Sequence, residues 1–115
     1  MPDPHPFRVA AEAKDLDLMR ETLAEDVVLH SPILFKGFEG REIALVVLGH
    51  VTQVFEDFRY LDEVQGDGTV VLRFAGKVDD GEFEIEGNDS QQLDADGRVT
   101  DLTVFLRPLQ AVHAF

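Results

Sequence analysis

The stretch Glu82–Pro108, EFEIEGNDSQQLDADGRVTDLTVFLRP, decides the fold. It reads as two antiparallel strands joined at Asp94-Ala95-Asp96-Gly97, a run of turn-forming residues. The first strand alternates: Phe83, Ile85, Gly87, Asp89, Gln91 and Leu93 fall on one face, and Glu82, Glu84, Glu86, Asn88, Ser90 and Gln92 on the other. Period-two alternation of this kind gives one buried and one solvated face. Asp89 therefore stands on the apolar side, between Ile85 and Leu93. A carboxylate in that position is paired, kept neutral, or faces a cavity.

Working outward, the second strand of the hairpin places Leu102, Val104 and Leu106 inward and Asp101, Thr103, Phe105 and Arg107 outward. Upstream, Thr69–Val78 is a longer strand with Leu72, Phe74 and Gly76 on one face, and Asp79-Asp80-Gly81 turns it into the hairpin. Phe58–Val64 is an edge-like strand ending at the turn Gly66-Asp67-Gly68. Before this meander the period changes. Arg41 to about Phe55, opened by Gly40, carries Ile43, Val46, Val47, Val51, Val54 and Phe55 on a broad apolar helical face, and Gly49 within it permits close packing. Val27–Ser31 favours a short strand that Pro32 stops, followed by an apolar loop over 33–38. Leu16, Met19 and Leu23 repeat at helical spacing in a helix capped by Asp15 and ending near Glu25. A short helix from Phe7 to Lys14 comes first, behind a lead-in stiffened by Pro2, Pro4 and Pro6.

Helices followed by an antiparallel meander argue for one α+β domain spanning residues 1–115, with the helices closing one side of a strongly curved, cone-shaped sheet. The mouth of such a cone is a natural small-molecule pocket. At 115 residues the chain suffices for one core but not two. Cysteine is absent, which excludes disulfides, zinc-thiolate sites and thiol nucleophiles. With 23 acidic and 10 basic residues, a formal charge of −13 argues against nucleic acid or anionic membrane as partner. The first residues have neither a basic start nor an apolar run, and the apolar stretch over 43–55 is too short to span a bilayer, so a cytoplasmic location is expected. His5, His30, His50 and His113 show no metal-ligand spacing, and no metal is expected. Asp94-Ala95-Asp96-Gly97 lacks the later ligands of a calcium loop and reads as a hairpin turn.

Three ordered stretches resemble the nuclear transport factor 2-like superfamily, in its SnoaL-like polyketide cyclase and ketosteroid isomerase branches. They are Ala13–Asp17 running on through Leu23–Val28 to His30-Ser31-Pro32, then Phe38–Ile43, then Gly87-Asn88-Asp89 with Leu93–Val99. The resemblance implies the cone-shaped fold, a homodimer and, for an enzyme of this kind, cofactor-independent isomerase, cyclase or lyase chemistry. It does not fix a reaction, because the fold hosts enzymes and binders alike. Ketosteroid isomerases use an aspartate base before a proline, a tyrosine, and a neutral aspartic acid. Here those places fall on Ser31, Phe7 and Asp89. A serine cannot abstract a carbon-bound proton without its own base, and phenylalanine donates no hydrogen bond, so that route is disfavoured. In SnoaL-like cyclases an aspartate at the place of Asp89 is expected to act as acid and base. An epoxide hydrolase of this superfamily needs an aspartate-arginine-aspartate set, but Arg73 points outward and no second carboxylate accompanies Asp89.

The expected function is binding of, or action on, a hydrophobic oxygenated small molecule, polyketide- or steroid-like, with Asp89 as acid/base or hydrogen-bond donor. Phe7, Leu29, Ser31, Phe35, Phe55, Phe74, Phe83, Leu102 and Leu106 are the candidate pocket walls. His30 joins them by its place beside Ser31, although strand parity turns it away from the cavity. Phe105, with Val71, Thr103 and Arg107, forms a half-apolar outer patch suited to a dimer interface. The alternative is a non-catalytic dimeric protein whose pocket is filled by side chains.

Overall fold

The computed structural model describes residues 3–115, so Pro2 of the proline lead-in lies outside the described residues. The elements run α1 (Pro6–Glu12), α2 (Leu16–Thr22), β1 (Leu23–His30), β2 (Phe38–Glu39), α3 (Arg41–Val54), β3 (Glu56–Gln65), β4 (Thr69–Val78), β5 (Phe83–Leu93), β6 (Val99–Arg107) and α4 (Leu109–Val112). The strands form one curved, unclosed sheet in the order β2-β1-β6-β5-β4-β3, and the helices pack on its concave face. This is the expected α+β cone. Among the described residues no helix is long and apolar enough to cross a membrane.

The meander follows the alternation read from sequence. In β4, Val70, Leu72, Phe74, Gly76 and Val78 are buried; in β5, Ile85, Asp89 and Gln91 are buried. The β5–β6 turn is set by Asp94, whose Oδ1 accepts from the backbone N–H of Asp96 and Arg98 at 2.9 and 3.0 Å. Gly97, at φ +81°, supplies the left-handed residue that the turn requires. Asp15 caps α2 by accepting from Leu18 N–H, as its position before the apolar repeat predicted.

Three local expectations are corrected. The second helix stops at Thr22 rather than near Glu25, because Leu23 pairs with Val99 and is fully buried at the start of β1. Core burial and a ladder partner there outweigh helix propensity. That β1 runs parallel to β6 was not readable locally, since the partners lie far apart in sequence. Phe38-Glu39, read as the end of a loop, adds a two-residue strand against Val28 and Leu29. In α3 the buried residues are Ala44 and Leu48, whereas Ile43 and Val46 are exposed. Ala44 and Leu48, four residues apart, share the face turned to the core, with Val47, Val51 and Val54 half-buried beside them.

Candidate functional site

The concave face of the sheet and the three N-terminal helices enclose an open cavity of about 280 Å³. Of the candidate wall residues, Phe7 of α1, Leu29 of β1, Phe55 at the end of α3, Phe74 of β4, and Leu102 and Leu106 of β6 line it. Phe55 and Phe74 meet edge to face with ring centroids 5.7 Å apart, and Phe58 packs on both. These contacts make a continuous aromatic wall without filling the space in front of it.

Asp89 reaches this cavity from β5, opposite Leu72 on β4 and Val104 on β6. Only 6 % of it is exposed, and two of its pairing partners offer hydrocarbon. Burial pushes its pKa up from the ordinary carboxylate value to about 7, against a smaller downward pull from the Tyr60 hydrogen bond. The Tyr60 hydroxyl donates to Asp89 Oδ2 at 3.3 Å, the one side-chain hydrogen bond that Asp89 makes among the described residues. Burial, and then the neighbouring Asp89, hold the Tyr60 phenol well above its usual range, so it remains a donor. Its ring is fixed edge-on to Phe58 and Phe74, with the Arg8 guanidinium 5.8 Å from its centroid. Arg8 is itself tied to Glu63 at 3.3 Å and Glu12 at 3.5 Å.

Ser31 lines the cavity, but its oxygen is engaged: it accepts from Ile33 and Leu34 N–H at 3.3 and 3.2 Å and so folds the chain around Pro32. Its hydroxyl proton remains free to donate. Ile33 and Leu34 contribute to the rim.

Three expected wall residues lie elsewhere. Phe35 projects wholly into solvent, because the turn held by Ser31 carries its side chain off the protein. Phe83, at the first position of β5, packs half-buried against the core but outside the cavity. His30 points away, as parity indicated, and its Nε2 meets Asp101 Oδ2 at 3.1 Å.

Sequence reading missed Tyr60 and the rim. Tyr60 is the only tyrosine and shares the inward parity of Phe58. A buried phenol needs a partner and a buried carboxyl needs a donor, which is the signal that could have joined the two. At the rim stand Lys14, from the α1–α2 junction, and His50 and Thr52, from α3. Among the described residues no three His, Asp or Glu side chains converge to hold a metal ion.

This arrangement suits chemistry that needs one proton held or moved in an apolar space. A carboxyl poised near 7 is present in both protonation states at neutral pH.

The SnoaL-like domain model matches residues 7–102. Among solved structures, a steroid delta-isomerase from Pseudomonas aeruginosa is 34% identical, with a TM-score of 0.86 over 94% of this chain and 79% of that one. A bacterial protein of cystatin-like fold from Silicibacter pomeroyi DSS-3 is 35% identical, with a TM-score of 0.89 over 95% of this chain and 76% of that one. A putative polyketide cyclase from Sinorhizobium meliloti, 17% identical, shares the fold at a TM-score of 0.70 over 86% of this chain and 89% of that one. No curated protein matches the chain. The family match over most of the chain and the two close structural relatives establish that this chain belongs to the SnoaL-like domain family, within the nuclear transport factor 2-like superfamily.

Proposed function

We propose that the cavity binds a compact, hydrophobic, oxygenated small molecule, of polyketide- or steroid-like chemistry. In this reading Asp89 is its hydrogen-bond donor or acid/base and Tyr60 is a second donor. The observation that carries the reading is the Asp89 carboxyl buried on the wall of an open apolar cavity, 3.3 Å from the Tyr60 hydroxyl. The single proton of the phenol is given to Asp89 Oδ2; an entering carbonyl oxygen would take that proton, beside the O–H of the protonated carboxylic acid, and in an apolar surround such bonds are strengthened. A volume of about 280 Å³ lies just below the range of about 300–1,000 Å³ common for ligand pockets, which favours a small ring system. Isomerisation through an aspartate base beside Pro32 is not open to this chain, because Ser31 stands there with its oxygen already accepting two backbone N–H groups. The similar steroid delta-isomerase supports the ligand class more than the mechanism.

Two copies are inferred to pair through the outer face of the sheet. Phe105 is 59 % exposed there, beside a hollow of about 230 Å³ bounded by Arg73, Glu86, Asn88 and Arg107. An exposed knob next to a hollow, with charges of both signs, is self-complementary about a two-fold axis.

The ligand reading is tested by titrating a naphthyl methyl ketone into the wild-type protein, Asp89→Leu and Tyr60→Phe. Losing one donor should weaken binding about tenfold. Equal affinity for all three proteins would remove both residues from the site.

A further inference from the structure

We propose that the ligand is an amphiphilic acid: its carbonyl or hydroxyl lies against Asp89 and Tyr60, and its carboxylate lies at the rim against the Lys14 ammonium. The inference rests on the reading of the cavity as a ligand site and adds the polarity of what enters it.

The cavity walls invert the charge balance of the chain. Acids outnumber bases 23 to 10 overall, yet among the described residues the only acidic side chain lining the cavity is the buried Asp89. Among the described residues the one lysine or arginine lining it is the exposed Lys14, joined by the exposed His50 and the half-buried Thr52. Lys14 is also held in place. It takes a left-handed backbone, φ +54°, between α1 and α2, and its Nζ donates to the Phe55 carbonyl at 3.1 Å, at the C-terminal end of α3.

That bond has a sufficient structural purpose of its own, since an ammonium is favourable at a helix C-terminus. It uses one of three N–H donors, however, and leaves two. Among the described residues no carboxylate lies within 4.0 Å of Lys14; Lys36, Arg41, Arg59 and Arg98 share this, whereas Arg8, Arg20, Arg73, Lys77 and Arg107 have carboxylate partners, and of the former group only Lys14 lines the cavity. In so acidic a protein, an anchored cation without a counter-ion at a cavity mouth is a ready site for a ligand anion. Thr52 already donates to Gly49 O and can accept but not bridge the charge, so Lys14 is the specificity-determining group at this end.

The net charge opposes approach of an anion from a distance, but that field is screened beyond about 10 Å at 0.1 M salt, whereas a contact at the rim is not. The arrangement therefore predicts a modest preference in affinity rather than fast capture.

The test uses naphthyl keto acids in which a polymethylene chain of increasing length joins the ketone to the carboxylate, each compared with its methyl ester by calorimetric titration. For the chain length that spans the cavity, the acid should bind about fivefold more tightly than the ester. That ratio should fall to about one in Lys14→Gln and be retained in Lys14→Arg. Esters that bind as tightly as their acids at every length would overturn the inference while leaving the cavity a ligand site. A preference for the acid that survives Lys14→Gln would also overturn it. If neither acid nor ester binds, both the inference and the ligand reading fall.

Discussion

The Tyr60 hydroxyl reaches Asp89 Oδ2 at 3.3 Å across an intervening strand, since β4 lies between β3 and β5. In a flat sheet, strands two apart are separated by about 9.5 Å, and side chains on one face stand parallel. The curvature of this sheet tilts the Tyr60 ring inward over Phe74 and brings the two polar groups together. The contact is thus a product of the cone, and irregularities in the β3–β4 register between Glu56 and Arg59 and between Tyr60 and Asp62 bend the sheet at this point.

A carboxyl whose pKa is higher in the folded than in the unfolded chain makes stability fall with pH. Below the unfolded value of 3.8 both states hold the proton and the contribution is complete. Between 3.8 and about 7 the native state keeps a proton that the unfolded chain has lost, so stability declines through this window and levels off above it. The full effect is at most about 4 kcal/mol, at about 1.4 kcal/mol per unit. Asp89→Asn should therefore match the wild type near pH 4 and exceed it in urea midpoint above pH 7. Parallel pH profiles for the two proteins would show that Asp89 ionises normally.

Tyr60→Phe should move the Asp89 titration upward. The phenol donates to the carboxylate form, and its removal leaves burial unopposed. Carboxyl-resolved NMR should place the midpoint above that of the wild type, with a stability cost of about 1 kcal/mol for the lost bond. A midpoint that stays put or falls would mean that the hydroxyl does not donate to Asp89 in solution.

Much of this was legible in the chain, for reasons that differ by element. Strands β4 to β6 alternate over nine or more residues between recognisable turns, so their faces follow from parity alone, and with them the inward aim of Asp89. Leu23 was misread as helical because its deciding partner, Val99, is remote in sequence. Phe35 was misread as a wall because apolar character does not reveal a turn, and the Ser31 hydroxyl that makes the turn looked like a site group. Tyr60 was passed over for a related reason: its partner sits two strands away, and only the curvature of the assembled sheet connects them.

Phe105→Glu should convert a dimer to a monomer without unfolding it. The side chain is 59 % exposed, so its replacement costs the isolated fold little, within about 0.5 kcal/mol. At a two-fold interface each copy would instead place one carboxylate near its symmetry mate. Sedimentation equilibrium should show a halved mass with an unchanged far-ultraviolet spectrum. An unaltered mass, or a monomeric wild type, would rule out pairing through this face.

Two glycines should respond in opposite directions to alanine. A methyl at Gly49 would meet only Leu16, Cδ1 at 3.4 Å and Cδ2 at 4.0 Å, ordinary contacts between α3 and α2, and alanine is the better helix former by about 1 kcal/mol. Gly49→Ala should raise stability by about that amount. A methyl at Gly87 would fall 2.1 Å from the Phe105 carbonyl oxygen and 2.8 Å from Phe74 Cζ. Neither can yield cheaply: the first is backbone of β6, and the second is a ring packed among Phe55, Phe58 and Tyr60. Gly87→Ala should cost about 3 kcal/mol or more, and, because Asp89 follows two residues later on the same face, should displace the Asp89 carboxyl as well. Urea denaturation of both variants checks the signs, and a Gly87→Ala protein as stable as the wild type would mean that β5 and β6 lie further apart than described.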